Sequence, residues 1–164
     1  MEIWDAYYAD KTLANKTLIR GEKIPHGLFH IIVETLVQHK DGTYLVMQRD
    51  YNKSSNPGLY EGSAGGSVLS GESAVKGALR EVKEETGITP TSVAPIYEFI
   101  YEKEGAITLG FITIVDCKKE CIKYQKGETI AHKWLTLAEL KMFVDSKEYN
   151  QSHAKRLKTY LNTL

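Results

Sequence analysis

Gly66-Ser67-Val68-Leu69-Ser70-Gly71-Glu72-Ser73-Ala74-Val75-Lys76-Gly77-Ala78-Leu79-Arg80-Glu81-Val82-Lys83-Glu84-Glu85-Thr86-Gly87-Ile88 is the stretch that decides this chain. Ala74, Val75, Ala78, Leu79 and Val82 recur at helical period, which predicts a helix with one face toward a core. Gly87 suits a left-handed cap after it. Glu81, Glu84 and Glu85 are related by i, i+3 and i+4, so they project from one face. Like charges that close repel by about 0.2–0.5 kcal/mol per exposed pair, and a bound divalent cation would offset that. Hard cations such as Mg²⁺ take oxygen ligands and commonly share them with substrate phosphates. Upstream, Gly62, Gly65, Gly66 and Gly71 mark a loop where backbone approaches a ligand closely. The plain alternative is a solvated acidic face, screened by Arg80 and Lys83.

Outward from this segment, the chain alternates strand and turn signals. Leu28 to Val37 is rich in β-formers, Asp41-Gly42 is a hairpin turn signal, and Thr43 to Arg49 returns as a second strand. Residues 50–58, with Asn56-Pro57-Gly58, read as a loop, and Leu59 to Ser67 as one short strand entering the glycine loop. Ser92–Glu102 and Ala106–Asp116 predict two strands joined through Lys103-Glu104-Gly105, and Thr129–Leu135 a further strand. Thr136-Leu137-Ala138-Glu139 is a capping box, so a helix should begin at Leu137, and a last amphipathic helix covers His153 to Leu161. Residues 1–27 are mixed and polar, with a short strand near Thr17–Arg20.

Composition narrows the function classes. The 164 residues predict one domain, 1–164, with 1–27 as an N-terminal extension packed on it. Twenty-one basic residues balance twenty-one acidic ones, so no electrostatic footprint for bulk nucleic-acid binding is visible. No apolar stretch approaches the roughly 20 residues that span a bilayer, and no signal peptide is seen. Cys117 and Cys121 read as reduced thiols, and the expected location is cytoplasmic. A homodimer is carried as an open alternative.

The complete spacing from Gly66 to Ile88 resembles the Nudix box, Gly-x5-Glu-x7-Arg-Glu-U-x-Glu-Glu-x-Gly-U with U apolar, and every defined position is present. The resemblance implies an α/β fold, an α/β/α sandwich around a mixed sheet. It implies metal-dependent hydrolysis of a diphosphate linkage in a nucleoside diphosphate joined to another moiety. By the same resemblance Glu81, Glu84 and Glu85 would hold Mg²⁺ or Mn²⁺ with a backbone carbonyl near Gly66. Glu72 would support the loop or bind metal through water, and Arg80 would orient the carboxylates. A base must take the proton of the attacking water. Glu81 is one candidate, and Glu128, before the strand that carries Trp134, is another.

Phe29-His30, Asp41-Gly42, Gln48-Arg49, Lys53, Pro57-Gly58 and Gly71-Glu72 also resemble the isopentenyl-diphosphate isomerase branch of the superfamily. In that branch the residues at Arg49 and Lys53 bind substrate diphosphate, a task suited to guanidinium and ammonium groups. The isomerase's catalytic cysteine falls on Gly65, and two of its metal histidines fall on Ser67 and Lys23. Thiol chemistry therefore has no carrier here. The chain resembles the isomerase-like hydrolases rather than the isomerase. Gly65, Gly66 and His30 are expected to line the substrate pocket, His30 as a pocket or packing residue instead of a ligand. Trp4, Tyr60 and Tyr97 are candidate base-stacking rings. The competing class is a nucleotide-sensing module without hydrolysis.

Overall fold

A computed structural model describes residues 1–164. The strands are β1 (Ile3–Tyr7), β2 (Leu13–Ile19), β3 (His30–His39), β4 (Tyr44–Arg49), β5 (Tyr60–Glu61), β6 (Ala64–Ser67), β7 (Ala94–Tyr101), β8 (Ala106–Val115) and β9 (Thr129–Leu135). The helices are α1 (Ala74–Thr86), α2 (Leu137–Phe143) and α3 (Gln151–Leu161). β3 and β8 run parallel from His30–Ala106 to His39–Val115. The other pairings are antiparallel, so the sheet is mixed, in the order β5-β4-β3-β8-β7 with β6 added to β3 and β9 to β4.

Side-chain alternation along the central strands sets the layers. Ile31, Val33 and Val37 of β3, with Leu45 and Met47 of β4, pack toward Ala78 and Val82 of α1. Leu36, Tyr44 and Val46 point the other way, onto Leu140 of α2 and Ala154, Leu157 and Leu161 of α3. The result is the α/β/α sandwich. No helix is long and apolar enough to cross a membrane.

Local chemistry places α1 and α2 as the sequence predicts, while α3 begins two residues before the expected His153 because Asn150 caps it. Ser73 caps α1 by accepting from the Lys76 backbone N–H, and Gly87 closes it at φ 76°. Gly42 turns the β3–β4 hairpin at φ 88°. Thr136 and Glu139 form the reciprocal capping box of α2. The apolar stripe of α1 is narrower than expected: Val75 is exposed, Ala74 and Leu79 are half-buried, and Gly77, Ala78, Val82, Glu85 and Thr86 form the buried face.

Leu59 to Ser67 is not one strand. β5 pairs with β4, β6 pairs with β3, and Gly62-Ser63 carries the chain across. Ser63 makes the crossing possible. Its hydroxyl donates to the Leu45 carbonyl and accepts from the Val37 N–H, both at 2.7 Å, standing in for a missing ladder pair. Gly65 and Gly66 consequently lie on a strand, and the loop proper begins after Ser67.

The first residues also form more structure than their polar composition suggests. β1 and β2 make a separate hairpin whose Trp4, Ala6 and Leu18 cluster with Leu28. Asp5 fastens it to the loop before α1, accepting from Ser70 Oγ at 2.6 Å and the Gly71 N–H at 2.8 Å.

Candidate active site

Three elements meet around a pocket of about 990 Å³: the buried edge of α1, the bare backbone of β6, and the segments that flank β4 and β9. Gly65, Gly66, Arg80, Glu81, Glu84 and Glu85 line it from the box, and Arg49, Lys53 and Glu128 from the opposite side. The hairpin supplies Glu2, Trp4 and Arg20. Carboxylates outnumber cations on these walls.

Gly66 is required by closeness rather than by φ. A Cβ built there would stand 2.3 Å from Glu81 Oε1 and 2.9 Å from Oε2. At Gly65 it would stand 3.0 Å from the Val33 carbonyl oxygen. At Gly66 the strand therefore presses its backbone against the Glu81 carboxylate, a closeness that any side chain there would push apart.

Arg80 organises the acidic groups. It donates twice to Glu72, at 2.9 and 3.0 Å, to Glu81 at 2.7 Å, to Glu84 at 3.1 Å, and to the Ser67 carbonyl at 3.1 Å. Glu72 is fixed a second time by the Leu69 N–H at 3.1 Å, so it braces the loop and is not among the groups lining the pocket. No three acidic, histidine or cysteine side chains stand at metal-ligating distance from one another. Repulsion between glutamates and the pull of Arg80 account for that spacing.

Glu85 is different. It is buried, and no lysine or arginine pairs with it. Burial, then the charges of Glu81, Glu61 and Glu128, push its carboxyl well above the ordinary value, against one hydrogen bond from the Gly65 N–H. Burial also raises Glu81, although Arg80 opposes it. A buried carboxylate set among carboxylates lacks positive charge, and oxygen donors suit a hard divalent cation. The residues present therefore fit such an ion.

Opposite, Arg49 donates to Glu61 at 2.5 Å and to the Ser55 carbonyl at 3.1 Å. Lys53 is paired with Glu128. Glu61 also accepts from the Asn150 amide at 3.1 Å. Also on the pocket wall, Glu34 is held by Arg156 and by the Tyr97 hydroxyl at 2.8 Å. Burial alone would raise Glu34, but His153, Arg156 and Tyr97 hold it below the usual carboxylate range.

Some expectations require correction. His30 does not line the pocket. Its ring lies 4.1 Å from that of Trp4, nearly parallel, and its Nδ1 is 3.4 Å from Ser67 Oγ. Burial pushes its pKa down to about 4, so it is a neutral packing histidine. Tyr60 packs edge-on against Phe143, and Tyr97 is committed to Glu34, so neither offers a face to a base. Trp4 does reach the pocket, with one face already covered by His30. Sequence reasoning missed Glu61, Glu34, Gln125, Glu2 and Arg20 as lining groups. Only Glu61 carried a local signal, a charged residue inside a strand beside Gly62.

The NUDIX domain model matches residues 28–160. An uncharacterised Nudix hydrolase of Listeria monocytogenes is 33% identical over 150 residues, spanning 91% of this chain and 88% of that protein. YfcD of Escherichia coli, another uncharacterised Nudix hydrolase, is 26% identical over 132 residues, 77% of this chain and 68% of YfcD. The fold matches DR0079 from Deinococcus radiodurans with a TM-score of 0.75 at 17% identity, covering 97% of this chain and 99% of that one. It matches the NUDIX domain of Shewanella oneidensis NrtR, solved with ADP ribose, with a TM-score of 0.65 at 16% identity, covering 92% and 94%. Matched over most of its length by the domain model and carrying every position of the box, the chain belongs to the Nudix hydrolase family.

Proposed function

We propose that this protein hydrolyses a diphosphate linkage in a nucleoside diphosphate joined to a second moiety, with Mg²⁺ or Mn²⁺ as cofactor. The observation that carries the reading is Glu85, a buried carboxylate with no cationic partner, bonded by the Gly65 N–H and lining the same pocket as Glu81, which lies against the bare backbone of Gly66. Glu81, Glu84 and Glu85 would hold the ion, aided by the Gly66 carbonyl, while Glu72 acts through Arg80. A divalent ion in such a site polarises a phosphoryl oxygen and lowers the pKa of bound water. Lys53 binds the diphosphate from the opposite wall as a point charge, and Arg49, held by Glu61 and Ser55, adds its positive charge beside it. Glu128 receives the proton of the attacking water, with Glu81 as the alternative base. The hairpin of residues 1–27 belongs to the same functional unit in this reading, because Glu2, Trp4 and Arg20 line the pocket. The second moiety meets a polar wall there, and the ADP ribose held by the related NrtR domain is the kind of nucleotide the pocket suits. Isomerase chemistry is disfavoured because Gly65 stands where a thiol would be needed.

The test is a panel of nucleoside di- and triphosphates, nucleotide sugars, ADP-ribose, dinucleoside polyphosphates, coenzyme A and NADH, with Mg²⁺ or Mn²⁺ and product masses read out. At least one compound should be cleaved at its diphosphate. Glu81→Gln, Glu84→Gln and Glu85→Gln should each reduce turnover by roughly 10²–10³-fold, in keeping with loss of one stabilising group at a reacting centre. Calorimetric binding of ADP-ribose without any product would point to a sensing module. Unchanged rates in all three variants would refute the assignment.

A further inference from the structure

The Lys53–Glu128 pair joins two residues that the hydrolase reading gives separate tasks. Lys53 follows β4 and Glu128 immediately precedes β9. Their backbones are fastened independently of the pair: the Asp50 N–H donates to the Glu128 carbonyl at 2.8 Å, and the β4–β9 ladder continues through Arg49 and Thr129. The two side chains can therefore separate without moving either segment. Arg49 is tied to Glu61 and also to the Ser55 carbonyl and hydroxyl, whereas the Lys53 ammonium bonds to Glu128 alone. Both ends of the pair line the pocket, with side chains 19% and 36% exposed. Ion pairs of that exposure contribute up to about 1 kcal/mol. A diphosphate, which presents more charge to the same ammonium, competes well against one carboxylate.

We propose that this ion pair is a latch worked by the substrate: the incoming diphosphate takes Lys53, and Glu128 is released as a free carboxylate at the pocket wall. The inference rests on the hydrolase reading, and it ties the availability of the base to the presence of substrate. Glu128 then accepts a proton from water as the water oxygen forms its bond to phosphorus. The bridging P–O bond breaks, and its electron pair leaves with the departing phosphate oxygen. Glu128 and Glu85 line the same pocket, and the hydroxyl of Thr129, next to Glu128, donates to the Glu85 carbonyl at 3.3 Å, so the freed group stands beside the proposed cation site.

Calorimetric titration of inorganic pyrophosphate with Mg²⁺ into wild type, Lys53→Gln, Glu128→Gln and the double variant separates the possibilities. Glu128→Gln should bind pyrophosphate about three- to fivefold more tightly than wild type, the equivalent of one partly exposed ion pair no longer broken. Lys53→Gln should bind about tenfold more weakly. In the Lys53→Gln background, adding Glu128→Gln should give no tightening. Tightening that persists without Lys53 would show general relief of negative charge and overturn the latch. Binding by Glu128→Gln no tighter than wild type would overturn it too, as would wild type that fails to bind pyrophosphate. Circular dichroism confirms that each variant is folded. Failure of wild type to cleave any panel compound would reject the hydrolase reading alone, because the pyrophosphate titration still decides the latch.

Discussion

Replacing Gly66 with alanine adds one methyl group where the structure has room for none. The new Cβ would lie 2.3, 2.5 and 2.9 Å from Oε1, Cδ and Oε2 of Glu81. Ordinary contact begins near 3.4 Å, so the carboxylate must retreat by about 1 Å. Glu81 is the mobile end of a side chain, and Gly66 lacks a positive φ, so the fold tolerates the change. Stability should change by no more than about 1 kcal/mol, in either direction. Turnover is far more sensitive, since a displacement of 1 Å at a reacting centre costs on the order of 10²-fold. The assay pairs a thermal melt with kcat on the best panel substrate across a Mg²⁺ titration. Expected are a near-native melting temperature, a kcat lowered about a hundredfold, and a higher Mg²⁺ requirement. A variant with native kcat and native Mg²⁺ dependence would refute the claim that Glu81 and the β6 backbone form one ligand set.

Three other perturbations have defined outcomes. Glu85→Gln should stabilise the metal-free protein at neutral pH by about 1–3 kcal/mol, seen as a higher melting temperature in EDTA, and should abolish stabilisation by Mg²⁺. The sign follows from the raised pKa: the folded chain keeps a proton that the unfolded chain releases, so wild-type stability falls as pH rises from the ordinary 4.5 through the folded value, and the variant loses that slope. Trp4→Ala should uncover His30 and return its pKa from about 4 toward 6.5, followed by NMR titration. Because the unfolded chain binds that proton first, wild type loses up to about 3 kcal/mol as pH falls from 6.5 through about 4, and the variant loses less. Arg156→Met takes the guanidinium from buried Glu34, leaving it the Tyr97 hydroxyl and His153, and should lower urea-unfolding stability by up to about 3 kcal/mol, with partial recovery when Glu34→Gln is added.

What was legible in the sequence shares a physical character. The α1 helix, its Gly87 cap, the Asp41-Gly42 turn and the Thr136 capping box depend on residues within a few positions of each other, and all four form as predicted. Nothing local in the sequence brings Arg49, Lys53 and Glu128 to the box residues; the resemblance implies it, and the fold sets all three around one pocket with them. The split of residues 59–67 into β5 and β6 depends on Ser63 bonding to Val37 and Leu45, which are far away in the chain. The hairpin of β1 and β2 is likewise stabilised by distant partners, Leu28 and the Ser70-Gly71 loop, and its own composition gives little sign of it. The sequence reads His30 as a pocket or packing residue, and the covering ring of Trp4 decides for packing. The resemblance implies an orienting role for Arg80, and its reach to Glu72, Glu81 and Glu84 together emerges only from the folded geometry.

The most direct measurement is a Mn²⁺ titration followed by electron paramagnetic resonance, on wild type and on a variant with Glu81, Glu84 and Glu85 all changed to glutamine. Wild type should remove the ion from the free-Mn²⁺ signal at saturable stoichiometry, and the folded triple variant should leave it free. Equal Mn²⁺ uptake by both proteins, or none by wild type, would contradict a cation site built on this helix.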